Sequence, residues 1–332
     1  MTESIMEQNG SGEQKLKRVL KLRHLVIYGI AFMTPIAPSY IFGYVSEMTG
    51  GMMALSYSIA MVAMLFTAYS YGRMSEAFPL AGSTYSYTQR ALDPKIGFMA
   101  GWGMYMDYVL VPLIVLMMGA AYANSLIPFI PYQAWVLILA AIIFTVNYRS
   151  ISVTASANNI LVLYMAVVVV LFVLFCIGKL VGGGGEAAVF SAKPFFNPET
   201  FHVSAVVSGA ALACFSFLGF DSITTLSEEA VNPKKDIRRA AVLACFIGGV
   251  IFITQAYVAQ LVWPDYTAFE NLDTAYFDIV KLVGGPVFAT VFTAAIIIST
   301  LSAGLTGQAS AARIMYAMGR DEMLPKKFFT YL

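Results

Sequence analysis

The sequence reads as an all-α, polytopic membrane protein, and three observations lead there. Of 332 residues, 59% are hydrophobic and 12% charged, about half the charged share of a soluble domain. A mean hydropathy of +0.73 leaves too little polar surface for a water-soluble globule. The apolar residues fall into eight runs, each close to or above the roughly 20 residues that cross a bilayer.

The same composition excludes other classes. A net charge of +1 gives no basic field for nucleic acid. Cys176, Cys214 and Cys245 lie inside apolar runs and read as small buried hydrophobes, not as a disulfide framework. With His24 and His202 the only histidines, no zinc-ligand spacing appears, and no cofactor is implied.

Residues 1–25 are polar and then basic, with no cleavage site, and are expected to form a cytosolic N-terminal tail. The runs 26–46, 52–73, 96–127, 132–148 and 158–181 are five spans, grouped as a first repeat over 26–181. The runs 203–230, 240–263 and 284–317 supply the first three spans of a second repeat over 203–317, and 318–332 is a cytosolic segment. The third, sixth and eighth runs exceed the bilayer and are expected to tilt or project. Pro128 and Pro131, the run Gly182 to Gly185, and Asn232-Pro233 punctuate the series. The stretch from Phe78 to Pro94 is too polar to span and reads as an amphipathic loop on the inner face.

With the N-terminus cytosolic, seventeen of the twenty Lys and Arg fall on inner segments, leaving Lys179, Lys193 and Lys281 outside. That asymmetry supports the span count and the orientation together. The outer loop 264–282 is acidic instead, carrying Asp265, Glu270, Asp273 and Asp278.

Two spans are interrupted. The first carries Thr34-Pro35-Ile36-Ala37-Pro38-Ser39 at its middle, and two prolines three apart remove two backbone donors. The sixth has a weaker counterpart in Ser216-Phe217-Leu218-Gly219-Phe220-Asp221. Broken backbone at membrane depth is tolerated where it is buried or lines a cavity. Breaks in spans one and six are what a five-plus-five inverted repeat gives, with a binding site where they meet; two kinked helices are the alternative reading.

Asp107, midway along the third span, and Asp221, just past the sixth-span break, are carboxylates at membrane depth. Such a charge costs roughly 3 kcal/mol even on a lenient insertion scale. No Lys or Arg lies in the middle of any span to neutralise them. They point to a transported cation or a carried proton, against the plainer reading of a protonated acid bonded to backbone. Tyr105 and Tyr108, one turn apart, could offer faces to an ammonium group or simply pack. Glu228 and Glu229 could pair as a gate or sit as a solvated helix end beside Lys234 and Arg238. Arg73 and Glu76 read as a local pair.

Several motifs together resemble the amino acid–polyamine–organocation superfamily of permeases over nearly all of the chain after residue 20. They are Pro79-x-Ala81-Gly82-Ser83-x-Tyr85-x-Tyr87, Pro94-x-x-Gly97-Phe98-x-x-Gly101-Trp102, Glu228-Glu229-x-x-Asn232-Pro233 and Arg313…Gly319-Arg320-Asp321-x-x-Leu324-Pro325. Within it, Met106-Asp107-Tyr108-Val109-Leu110-Val111-Pro112 and the stretch Phe215 to Asp221 running on to Glu229 look most like bacterial putrescine importers. The resemblance implies the five-plus-five inverted-repeat transporter fold with spans one and six broken, here with eight spans where full-length members usually have twelve.

It also implies substrate held at the two breaks, by Pro35, Ile36, Ala37 and Tyr40 on one side and Ser216, Phe217 and Phe220 on the other, driven by a proton or sodium gradient. By position, Asp221 would meet a substrate amine, with Tyr108 and Asp107 beside it and Glu228 or Glu229 gating. Two positions depart from the relatives: Tyr40 stands where those importers have an aspartate, and Tyr164 where some sodium-independent relatives have a lysine. Ser299, Thr300 and Ser302 in span eight could supply oxygens to sodium, or make ordinary interhelical contacts.

The leading expectation is therefore a secondary active importer of a cationic amine or polyamine in the inner membrane. Its partners would be a small cationic amine or an amino acid, a proton or sodium ion, and the lipid bilayer, with no nucleic acid. An amino acid permease is the runner-up, and a transport-inactive remnant or interaction subunit the third reading. No nucleophile–base pair, metal motif or phosphate-cradling glycine loop argues for an enzyme.

Overall fold

The computed structural model describes residues 18–149, 151–182 and 190–330, and its regular structure is helical throughout apart from one isolated bridge. Span one is the pair α1 (Leu22–Met33) and α2 (Pro38–Thr49), bent by 56° across the break between them. Spans two to five are α3 (Met53–Ala77), α5 (Pro94–Leu126), α6 (Tyr132–Arg149) and α7 (Ile151–Val181), with the short α4 (Thr84–Ala91) between α3 and α5. Span six is α8 (Val203–Ala213) followed by two 3₁₀ segments, Cys214–Phe217 and Phe220–Leu226. Spans seven and eight are α9 (Pro233–Val262) and α10 (Ala275–Arg320), and α11 (Lys326–Phe329) follows. Among the described residues, seven helices are long and apolar enough to cross a membrane, and the bent pair, taken as one span, makes an eighth.

Every expected span has its helix, and the ends differ for identifiable reasons. The α10 helix begins nine residues before the expected 284, in the loop read as purely acidic, but Gly285 sits at φ 68° and splits it there. Pro286 then opens the membrane part at a position where its missing N–H costs nothing. At 33 residues, α5 is about 50 Å long and must tilt or project beyond a ~30 Å hydrocarbon layer. The stretch Phe78 to Pro94 is not a surface loop: α4 forms within it, and Ser83, Tyr85 and Tyr87 are buried.

The interior is built from α3 packed along α9 and α5 along α10, with α1 held between α9, α10 and the unwound part of span six. Large apolar side chains face outward, Phe66, Met99, Leu137 and Ile160 among them, as lipid-facing surface requires and a soluble domain rarely tolerates. The eight crossings, the broken first and sixth spans and the absence of sheet among the described residues make this an all-α, multi-pass membrane fold.

Just before α1, the backbone of Val19 and Leu20 donates to the Glu229 carbonyl at 2.9 and 3.0 Å, and Val231 donates back to Leu20. The end of the N-terminal tail is thereby tied to the end of span six. Lys15 and Lys17 lie outside the described residues, as do Gly183 to Gly185 of the glycine run.

Candidate functional site

The two breaks meet at the centre of the molecule. In span one the helix ends at Thr34, whose φ of 54° is outside the ordinary helical region, and restarts with Pro38 at its first turn. The freed Pro35 carbonyl accepts from Gln255 Nε2 of α9 at 2.8 Å, and Gln255 Oε1 in turn accepts from the Tyr276 hydroxyl. Gln255 is fully buried, so this contact answers a backbone group that nothing else in an apolar surround could satisfy. Sequence reasoning passed over Gln255; a glutamine alone in an apolar run was the available signal.

Span six unwinds where Gly219 takes φ 107°. Its Cα lies so close to Phe32 that a Cβ there would sit 2.5 Å from the ring. The 3₁₀ run that follows is held by its own hydroxyls. Ser222, Thr224, Thr225 and Ser227 each donate to the carbonyl three residues back, at 2.5–2.6 Å.

Between the breaks lies a cavity of about 40 Å³, room for a few waters. Thr34, Ala37 and Tyr40 line it from span one, Ser216 and Leu218 from span six, and Phe32 closes one end. Ser216 also hydrogen-bonds the Tyr57 hydroxyl at 2.8 Å. Pro35 and Ile36 back this wall, buried. Phe217 and Phe220 turn away from the cavity, Phe217 onto Phe252 (5.2 Å between ring centres) and Phe220 onto Tyr71 (5.6 Å).

Beyond Phe32 lies the carboxylate. Phe32 packs on Tyr108, with ring centres 5.7 Å apart, and the Tyr108 hydroxyl donates to Asp221 Oδ2 at 2.5 Å. Asp221 is 7% exposed and pairs with no Lys or Arg among the described residues. Asp107 is half-buried and has no hydrogen-bond partner among them. Tyr105 is packed against the same cluster as Tyr108, but its ring pair is with Trp102, 5.5 Å between centres.

From Asp221 a chain of hydroxyls leads toward the face rich in Lys and Arg, called here the basic face. Thr224 bonds Ser83 at 2.7 Å and Ser227 bonds Ser75 at 3.3 Å. The chain ends at two ion pairs that join span six to span eight. Glu229 meets Arg313 at 2.8 and 2.9 Å, both side chains almost fully buried, and Arg313 also donates to the Ala309 carbonyl. Glu228 meets Arg320 at 2.8 and 3.0 Å and accepts from the Ala81 backbone N–H. Neither glutamate is a solvated helix end. Arg238, beside which a solvated helix end was expected, pairs with Glu76 at 2.8 Å, closer than Arg73 at 3.7 Å.

The three span-eight hydroxyls do not converge. Ser299 bonds Tyr40, Thr300 presses on Gly119 of α5, and Ser302 donates to the Ala31 carbonyl at 3.0 Å beside Asn158. Thr300 turns about 100° away from Ser299 onto α5, while Ser299 and Ser302, one turn apart on the same face, meet different partners. Among the described residues, no group of three or more His, Cys, Asp or Glu could hold a metal ion.

Residues 24–332 match the sequence pattern of the amino acid permease family. The chain is 36% identical over 321 residues to the low-affinity putrescine importer PlaP of Escherichia coli, covering 96% of this chain and 70% of that protein. It is 26% identical over 339 residues to the branched-chain amino acid permease BcaP of Bacillus subtilis, covering 95% and 70%. In structure it is similar to Mhp1, a nucleobase-cation-symport-1 family transporter, with a TM-score of 0.57 over 94% of this chain and 70% of that one. At 14% identity that likeness speaks to the fold alone.

Proposed function

The chain belongs to the amino acid permease family, and from that premise we propose that it is a secondary active transporter importing a cationic amine or polyamine of putrescine type by alternating access. One observation carries the reading. Asp221 is a carboxylate at membrane depth, beside a cavity formed by two broken spans, with a hydroxyl and no cation for a side-chain partner. A buried carboxylate of this kind calls for a positive charge from outside the chain. A primary ammonium group supplies that charge and three donors.

The steps follow from the column of groups just described. Substrate enters between Tyr40 and Ser216, Phe32 moves off Tyr108, and the ammonium meets the other oxygen of Asp221 while the Tyr108 hydroxyl keeps its bond to Oδ2. Asp107 adds negative potential one residue away along α5. The pairs Glu228–Arg320 and Glu229–Arg313 hold the basic face shut and separate as that face opens. With the N-terminus cytosolic and the protein in the cell (inner) membrane, this is the inward gate. An inside-negative potential then favours import by about 2.3 kcal/mol per charge per 100 mV. Coupling to a proton or to sodium completes the cycle; Ser302, Asn158 and the Ala31 carbonyl are the oxygen set facing span one that a sodium ion would use.

The test is displacement of radiolabelled putrescine from the purified protein. Unlabelled diamines competing and leucine failing to compete supports the amine reading. Binding of radiolabelled leucine with none of radiolabelled putrescine would instead make the chain an amino acid permease whose broken helix ends take a carboxylate.

A further inference from the structure

We propose that a second cavity, on the face opposite the gate and bounded by Asp273, is an outer docking station that captures one ammonium group before the substrate reaches the broken spans. The proposal rests on the amine reading above and adds to it a site outside the central one.

The cavity is lined by Ser39, Tyr40, Tyr122, Asp273, Tyr276 and Phe277 and holds about 10 Å³. That is about the room of a single water, and a primary ammonium head is of similar size. Asp273 is the one charged group in its wall among the described residues. One carboxylate oxygen accepts from the Tyr44 hydroxyl at 2.8 Å, and the other has no partner among the described residues. The ion pairs among those residues lie near the basic face and do not include Asp273. Lys281, the cation closest in sequence, lines a neighbouring cavity with Glu270 and Asp278 and not this one. Asp273 thus has an open acceptor and no cation partner among the described residues, and Tyr122 lines the cavity beside it. Glu270 and Asp278 on the same loop and helix raise the local concentration of cations around it.

Position makes this a station and not a bystander. Tyr40 lines both this cavity and the central one, and its hydroxyl is hydrogen-bonded to Ser299 of span eight. It is the wall between them, so its swing off Ser299 would join the two. A diamine carries two ammonium groups, and the central site holds Asp221 with Asp107 beside it. Asp273 provides a further carboxylate on the approach.

The experiment is initial-rate uptake of radiolabelled putrescine into proteoliposomes at low ionic strength, for the parent, Asp273→Asn, Asp273→Glu and Tyr44→Phe. Asp273→Asn is expected to raise KM about fivefold, the scale of a partly exposed ion pair, with Vmax unchanged. Asp273→Glu should recover most of that loss, and Tyr44→Phe should leave KM within about twofold, because it removes the hydrogen bond and keeps the charge. An unchanged KM in Asp273→Asn overturns the station. So does an equal rise in Tyr44→Phe, which would make Asp273 merely the anchor of Tyr44. Asp221→Asn, run in parallel, tests the central site separately: uptake surviving it refutes the role of Asp221 while the Asp273 comparison still stands. A parent that takes up leucine and not putrescine overturns the amine reading and the station with it.

Discussion

Replacing Glu229 by alanine strands the Arg313 guanidinium in the closed basic face. In the parent, three of its nitrogen–oxygen contacts go to Glu229, at 2.8, 2.9 and 3.3 Å, and the Ala309 carbonyl is its one other hydrogen-bond partner among the described residues. Side-chain exposures of 5% and 6% mean that water does not take over when the carboxylate is gone. Breaking a buried pair by removing one partner costs about 3–5 kcal/mol. In the open form both groups are solvated, so the cost falls on the closed form alone. At about 1.4 kcal/mol per tenfold, the equilibrium moves toward open by two to nearly four powers of ten.

The assay is thiol labelling of Ser227→Cys, a fully buried position just before the gate, in a chain with Cys176, Cys214 and Cys245 replaced. Glu229→Ala should raise the labelling rate at least a hundredfold or to saturation. Replacing Glu229 and Arg313 together by methionine should return the rate toward the parent, since no unpaired charge is left buried. Unchanged labelling in Glu229→Ala would refute the gate, and equal labelling in the single and double variants would refute the charge argument.

Three further outcomes are expected. Gly219→Ala must force a Cβ against the Phe32 ring at a left-handed φ; we expect a loss of about 2 kcal/mol or more, read as a lower thermal midpoint with uptake strongly reduced. Gln255→Leu leaves the Pro35 carbonyl and the Tyr276 hydroxyl without partners, at about 1–3 kcal/mol, and should lower the midpoint in the same assay. Tyr108→Phe removes the hydroxyl that orients Asp221 and should cut kcat/KM for putrescine about tenfold or more, the scale of a hydrogen bond to a charged group; parental kinetics would show that Tyr108 has no part in binding.

The spans were legible because hydropathy over about 20 residues is a direct record of what lipid demands. The first break was legible too, since Pro35 and Pro38 cannot continue a helix whatever surrounds them. Gly219 marked the second break more faintly, and the close approach to Phe32 that requires it belongs to another span. What the sequence hid was pairing across spans. Glu228 and Glu229 stand 92 and 84 residues from Arg320 and Arg313, and local spacing favoured the nearer Lys234 and Arg238. Asp221 and Tyr108, 113 residues apart, were brought together only by the resemblance; their contact is a product of the tertiary fold. The loop between Phe78 and Pro94 misled for a related reason: Ser83 meets the buried Thr224 hydroxyl and the Ala81 N–H meets Glu228, both from span six and its end.

The central claim is that Asp221 receives the ammonium group of a transported amine. The most direct measurement is gradient-driven uptake of radiolabelled putrescine into proteoliposomes by the parent and by Asp221→Asn, with insertion of both checked by protease protection. The account predicts diamine-competed uptake by the parent and its loss in the correctly inserted variant. Parental uptake rates in Asp221→Asn would contradict it.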